Sequence, residues 1–194
     1  DAQLFHDFAH QAFGVPFYNI KLLTNSIAKR NDTLNTIATW LPKVIKENKT
    51  DFYLFFSGHG LASDNGEDLF LLPYDGYPDT LEETALLRNK IFKSIADLNP
   101  KSVTVFLDTC YSGTTRGTEM LVASRPIVVR AKASAVPKGF TVFSAAGGDE
   151  TSKPLNEAKH GMFSYFVMKG LEGDADNNSD NQITAGELQG YVRE

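Results

Sequence analysis

Val103-Thr-Val-Phe-Leu-Asp-Thr-Cys-Tyr-Ser-Gly113 runs apolar, β-branched residues straight into a small polar turn, and the only cysteine of the chain sits in that turn. The pattern is a buried strand that delivers Cys110 to the edge of a sheet. A second stretch has the same shape. Asp51-Phe-Tyr-Leu-Phe-Phe-Ser-Gly-His-Gly60 is an apolar strand ending in a turn that carries His59. In open α/β sheets, ligands bind outside the carboxyl ends of the strands. Two neighbouring parallel strands of this kind would bring a thiol and an imidazole together at that rim, as nucleophilic cysteine catalysis requires.

Outward from these strands, the spacing predicts alternating helices and strands. Leu4, Phe5, Phe8, Ala12 and Phe13 share one face of a first helix, which Gly14 stops. A parallel sheet ordinarily has a strand before its first helix. The chain therefore reads as trimmed at this end, and localisation is not legible from it. Tyr18–Leu23 reads as a short strand. Leu34, Ile37, Ala38, Leu41, Val44 and Ile45 predict a helix capped by Asn31 or Asp32 and divided or kinked at Pro42. Leu61–Glu67 reads as a polar loop, Asp68–Leu72 as a short strand and Pro73–Thr80 as a turn-rich connection. Leu87, Ile91, Ile95 and Leu98 mark a further helix, which Asn99-Pro100 ends.

Residues Gly113–Lys138 carry Arg116, Arg125, Arg130, Lys132 and Lys138 with weak periodicity, which predicts a long mobile loop. Gly139–Ser144 is another strand, and Ala145–Gly148 a flexible turn at the same rim. His160–Leu171 is helical, with Met162, Phe163, Phe166, Val167 and Leu171 as its apolar set. An acidic loop and a short helix follow. The succession predicts an α/β fold: a doubly wound, mostly parallel sheet flanked by helices on both faces, with right-handed crossovers.

Composition narrows the function. The 194 residues are 42% hydrophobic, enough for one domain with a real core. The net charge of −5 and the absence of a long basic run argue against nucleic acid as a partner. No apolar stretch approaches the roughly 20 residues that span a membrane. One cysteine excludes an internal disulfide framework and a multi-cysteine metal site.

The chemistry at the rim follows from the residue types. A cysteine nucleophile works as a thiolate, and a neighbouring histidine lowers the thiol's titration point. His59 would take that proton and return it to the leaving amine. Backbone N–H groups of Gly60 and Cys110 are candidates for an oxyanion hole. Gly58 and Gly60 would let the backbone approach a substrate closely, and Ser112-Gly113 would do the same beyond the thiol. Two readings stand for Cys110 taken by itself: a buried core cysteine, or a nucleophile. The matching turn at His59 favours the nucleophile.

Ser57-Gly-His-Gly60 followed by Asp108-Thr-Cys-Tyr-Ser-Gly113 resembles the caspase-like cysteine peptidases, in particular the bacterial metacaspase (orthocaspase) branch. Asn25–Leu41 resembles that family's helix before the histidine strand. Phe143-Ser-Ala-Ala146 and His160-Gly-Met-Phe-Ser164 resemble its small-subunit half. The resemblance implies one caspase-like domain. Residues 1–112 would be its large-subunit-like part, 113–138 the linker loop and 139–194 the small-subunit-like part.

The resemblance also implies His59 and Cys110 as a catalytic dyad that forms a thioester acyl-enzyme. Where caspases that cut after aspartate have glutamine, this chain has Asp108. A carboxylate on the pocket floor implies arginine or lysine at P1. Ser57 matches a second pocket position, and Asp1 a third. Asp108 has a plainer reading too, as a strand-end aspartate capping the turn that follows. Arg125, Arg130, Lys132 and Lys138 then stand as candidate self-cleavage sites, or as part of a solvated loop. The implied partners are protein or peptide substrates with a basic P1 residue, met by a monomer.

A second constellation lies near the end. Asp176, Asn178, Asp180, Gln182 (through its carbonyl), Thr184 and Glu187 follow the register of a twelve-residue EF-hand-like calcium loop, 176–187. Asn181 stands where that loop has glycine, and asparagine is the next best residue for a left-handed turn. The loop reads as a Ca2+ site or as an acidic connector of the same shape; the chemistry at Cys110 itself requires no cofactor. Metacaspases place calcium in the peptidase core, but Asp64, Asp68, Asp75 and Asp79 match those positions only loosely, and the acid expected after the cysteine motif is Gly117. His6 and His10 have metal-ligand spacing without a third ligand, and read as a solvated helix face. The readings opposed to a peptidase are a non-catalytic caspase-like binding module and a calcium-sensing module.

Overall fold

A computed structural model of the chain describes residues 1–63, 68–109, 111–113, 136–145, 154–155 and 160–193. In chain order, the first elements are helices α1 (Ala2–Gln11), α2 (Arg30–Asn35) and α3 (Leu41–Val44). Strands β1 (Asp51–Ser57), β2 (Gly60–Ala62) and β3 (Leu69–Leu71) follow, then α4 (Leu81–Thr84), β4 (Leu86–Leu87) and α5 (Arg88–Ala96). Next come β5 (Ser102–Asp108), β6 (Tyr111–Gly113), β7 (Phe140–Ser144), β8 (Pro154–Leu155) and β9 (His160–Gly161). Helices α6 (Met162–Lys169) and α7 (Ala185–Arg193) close the described chain.

The main sheet has the order β1-β5-β7, with both pairings parallel. Its middle strand shows why the fold is doubly wound. Val103, Val105 and Leu107 face one core with Leu41, Ile45, Ile91, Phe92 and Ile95. Phe106 faces the other, with Phe5, Phe8, Phe163, Val167 and Leu188. Successive residues of a strand point to opposite faces, so a β5 that is apolar on both faces needs helices on both. Complete burial of a side chain such as Phe92 or Phe106 stabilises the fold by about 1.5–3 kcal/mol.

Aromatic contacts fix α1 against the sheet. Phe5 stacks on Phe55 of β1 with ring centroids 4.6 Å apart and tilts against Phe106 at 5.5 Å. Phe106 in turn stacks on Phe143 of β7 at 5.4 Å. This column sets where the first turn of α1, and therefore Asp1, comes to lie. A second, smaller sheet has the order β4-β3-β2-β6, parallel only between β2 and β6. Among the described residues no helix is long and apolar enough to cross a membrane.

Three local expectations are corrected. Tyr18–Leu23 is not a strand; Phe17–Asn19 forms a 3-10 turn, and Tyr18 is 78% exposed, so the segment lacks a buried face. The helix expected across Leu34–Ile45 does form, as α2 and α3 divided by a wider π turn, Thr36–Trp40, directly before Leu41-Pro42. Neither Asn31 nor Asp32 caps α2; the Arg30 N–H donates to Oδ1 of Asp75 at 2.8 Å instead. Leu61 and Ala62 are no polar loop but buried strand, because β3 and β6 cover β2 on either side.

Candidate active site

β1 and β5 are direct neighbours, and their pairing leads into the two turns of interest. Ser57 lies opposite Asp108, and beyond the turns Gly60 lies opposite Tyr111, again in parallel. The register before and after the turns is the same. One turn carries Gly58-His59, the other Thr109-Cys110. The Gly58 N–H donates to the Asp108 carbonyl at 3.2 Å, and the His59 carbonyl accepts from the Leu72 N–H at 2.9 Å. His59 is exposed, as a group that exchanges protons with a substrate must be, whereas Gly60 is buried between its strand neighbours. Cys110 lies outside the described residues. Gly58 has a packing reason as well: a Cβ there would sit 3.1 Å from the Phe56 ring.

The acids meet at the start of α6. Asp108 is 7% exposed. Its Oδ2 accepts from the Ser164 N–H at 3.3 Å and from the Ser164 hydroxyl. Asp1 stands at the head of α1 but does not cap it with its side chain. Its Oδ2 accepts from the Ser57 hydroxyl at 3.1 Å, and its Oδ1 from the Gly161 N–H at 3.2 Å. Asp1, Ser57 and Asp108 are thus gathered around one helix end, although 56 residues separate Asp1 from Ser57. Among the described residues, Asp108 caps the distant α6. Buried carboxylates are tolerated where fixed donors satisfy them, and a helix N-terminus supplies such donors.

Sequence spacing reveals neither Ser164 nor Gly161 as part of this cluster. Both read as the opening of an apolar helix, and their partners lie far away in the chain. Nothing in the sequence marks Thr109 either. It is 1% exposed, and its hydroxyl has no hydrogen-bond partner among the described residues.

His6 and His10 do not form a solvated face. Both rings stack on Phe17, with centroids 5.5 and 3.7 Å away, while His6 Nδ1 meets Asp7 at 2.7 Å and His10 Nδ1 meets the Val15 carbonyl at 2.9 Å. The two histidines hold the turn after α1.

The loop 176–187 has the expected backbone. Asp176 accepts from the N–H groups of Asp180 and Asn181, at 3.3 and 2.9 Å, and Asn181 takes the left-handed conformation at φ 61°. Gln182 donates its N–H to Asp180 at 2.8 Å, and Asp180 its N–H to Asn178 at 2.9 Å. Glu187 accepts from the Thr184 N–H and hydroxyl, at 2.9 and 2.7 Å, and these bonds hold its carboxyl below the usual range. Among the described residues no three His, Cys, Asp or Glu side chains gather as a metal group. Asp75 is engaged as the cap of α2, and Asp64 lies outside the described residues.

The family model described as the caspase domain matches residues 1–188. No curated protein matches the chain.

Proposed function

On the premise that the chain belongs to the caspase-domain family of cysteine-type peptidases, whose substrates are proteins, we propose that it is an endopeptidase of the metacaspase (orthocaspase) kind, cutting after arginine or lysine. Cys110 is the nucleophile and His59 its base. The thiolate attacks the P1 carbonyl carbon, and the Gly60 and Cys110 N–H groups stabilise the oxyanion that forms. The C–N bond breaks as His59 protonates the leaving amine, which leaves a thioester. Water, deprotonated by His59, then hydrolyses the thioester and frees the thiol. No step in this sequence uses a metal.

The observation that carries the dyad is the shared register: Ser57 opposite Asp108 and Gly60 opposite Tyr111, with His59 and Cys110 in the intervening turns. Basic specificity rests on Asp1, Ser57 and Asp108 gathered around the head of α6. An arginine or lysine side chain supplies the opposite charge that such a site favours. The test is hydrolysis of fluorogenic peptides with arginine, lysine or aspartate at P1, beside Cys110→Ala. Cleavage after the basic residues, abolished in Cys110→Ala, supports the reading. Cleavage after aspartate alone rejects the basic pocket, and no cleavage by folded protein favours a non-catalytic binding module.

Two further parts belong to this reading. Residues 113–138 link a larger and a smaller part of one domain, and Arg125, Arg130, Lys132 or Lys138 is the self-processing point; residues 114–135 lie outside the described structure. The loop 176–187 takes a hard cation such as Ca2+. Its donors are all oxygens: Asp176, Asn178, Asp180 and Glu187 by side chain, Gln182 by carbonyl, and Thr184 directly or through water. The left-handed Asn181 supports this assignment. Binding requires Glu187 to turn from Thr184 toward the other acids.

A further inference from the structure

Both acids of the proposed pocket are held by one turn of helix. Ser164 is fully buried, and it donates its N–H and its hydroxyl to the same oxygen of Asp108, Oδ2. Three residues earlier, the Gly161 N–H donates to Asp1 Oδ1 at 3.2 Å. Gly161 also packs closely against Asp108. A Cβ at Gly161 would overlap Asp108 Oδ2 and lie 3.1 Å from its Cγ and 3.3 Å from its Oδ1. Asp108 is therefore fixed from two sides, and no described donor meets its Oδ1. Two carboxylates this close to one turn repel each other. The N–H groups at the head of α6 offset that repulsion.

We infer that Ser164 is a positioning residue for substrate choice: by clamping Asp108 Oδ2 over Gly161, it reserves Oδ1 for the side chain at P1 and sets arginine above lysine. The inference rests on the proposed basic pocket and adds the residue that tunes it. A guanidinium carries five N–H donors in a fixed fork and can meet two fixed carboxylates, one from α1 and one from β5, together. An ammonium is a point charge and gains less from an acceptor whose direction is fixed. Without the Ser164 hydroxyl, Asp108 is held less firmly in its direction, and the advantage of arginine shrinks. Ser164 acts on P1 only through Asp108 in this reading, so the turnover step should be spared.

The test measures kcat and KM separately for matched P1-arginine and P1-lysine peptides, in wild type, Ser164→Ala and Gly161→Ala. Alkylation of Cys110 by iodoacetamide, which needs no P1 recognition, serves as the control. Losing a hydrogen bond to a charged group predicts a KM for the arginine peptide raised about tenfold to hundredfold in Ser164→Ala. The lysine KM should rise less, and kcat and alkylation should stay within about twofold of wild type. Gly161→Ala, which displaces Asp108 by a different route, should narrow the arginine preference in the same way. Wild-type cleavage after arginine with an unchanged KM in Ser164→Ala overturns the inference and leaves the basic pocket standing. A fall in kcat and alkylation together with KM also overturns it, since the serine would then merely support the fold. A wild type that cleaves after neither basic residue overturns the pocket, and the inference with it.

Discussion

The hydroxyl of Ser57 donates to Oδ2 of Asp1 at 3.1 Å, joining the carboxyl end of β1 to the first turn of α1. Ser57 is also the residue opposite Asp108. One small side chain thus lies between the two acids proposed to read P1. Ser57→Ala should raise KM for a P1-arginine peptide about tenfold with little change in kcat, as expected for one lost bond to a charged group. In a double-mutant cycle with Asp1→Asn, steady-state kinetics should show coupling of about 0.5–3 kcal/mol, because the two residues share one contact.

Thr109 separates Asp108 from Cys110 and holds a buried hydroxyl that no described group satisfies. An unpaired buried hydroxyl costs about 1–3 kcal/mol. Thr109→Val removes it and keeps the branched shape. The variant should be more stable by about 1 kcal/mol in denaturant unfolding, which for a chain of this size corresponds to about 2–4 °C in Tm.

How far the sequence reveals these features depends on the range of the interaction. β1 and β5 are legible because each is an apolar run leading into a small polar turn, although only β5 is buried on both faces. Their glycine-bounded turns make His59 and Cys110 stand out as well. The left-handed Asn181 is legible because the loop's own spacing requires it. The clamp on Asp108 is not legible, since Ser164 reads as one more position in an apolar helix and its partner lies 56 residues away. The capping of α2 by Asp75 is hidden for the same reason, with 45 residues between partners. Tyr18–Leu23 misleads because its residues alternate like a strand, while Tyr18 stays in solvent. His6 and His10 mislead in the other direction: helical spacing shows that they share a face but not that Phe17 covers it.

At the opposite end of the sheet, Asp51 accepts from the Ser102 hydroxyl and from Lys101 Nζ, at 2.6 and 3.0 Å. These bonds, the serine's first, hold its carboxyl below the usual range. A carboxyl lowered in the folded state stabilises at pH values above its unfolded titration point, about 4, and that contribution is lost as the pH falls through the lower folded value. The pair is largely exposed, so the effect is small, about 1 kcal/mol at most. Asp51→Asn should lower stability slightly at pH 7, and the difference from wild type should vanish near pH 2 in urea unfolding at the two pH values.

The loop 176–187 gives a binding prediction. Glu187→Gln retains an acceptor for the Thr184 N–H and hydroxyl but removes the charge that would close a cation site. In chelator, its Tm should fall slightly below wild type, because the ionised carboxyl is the better acceptor for Thr184. With calcium at about 100 times its Kd, the wild type should gain about 2.7 kcal/mol of stability, and Glu187→Gln should gain far less. Equal responses of the two proteins would remove the cation from this loop.

Covalent trapping probes the Cys110 nucleophile and the pocket for basic side chains in one measurement. Wild-type protein is treated with two matched peptidyl acyloxymethyl ketones, one with arginine and one with aspartate at P1, and the adduct is located by intact mass and peptide mapping. One adduct per chain is expected, on Cys110, formed rapidly from the arginine reagent and slowly or not at all from the aspartate reagent. His59→Ala should slow the labelling, and Asp108→Ala should erase the preference. Labelling at Cys110 that favours aspartate, or that ignores the P1 residue, would rule out a pocket for basic side chains.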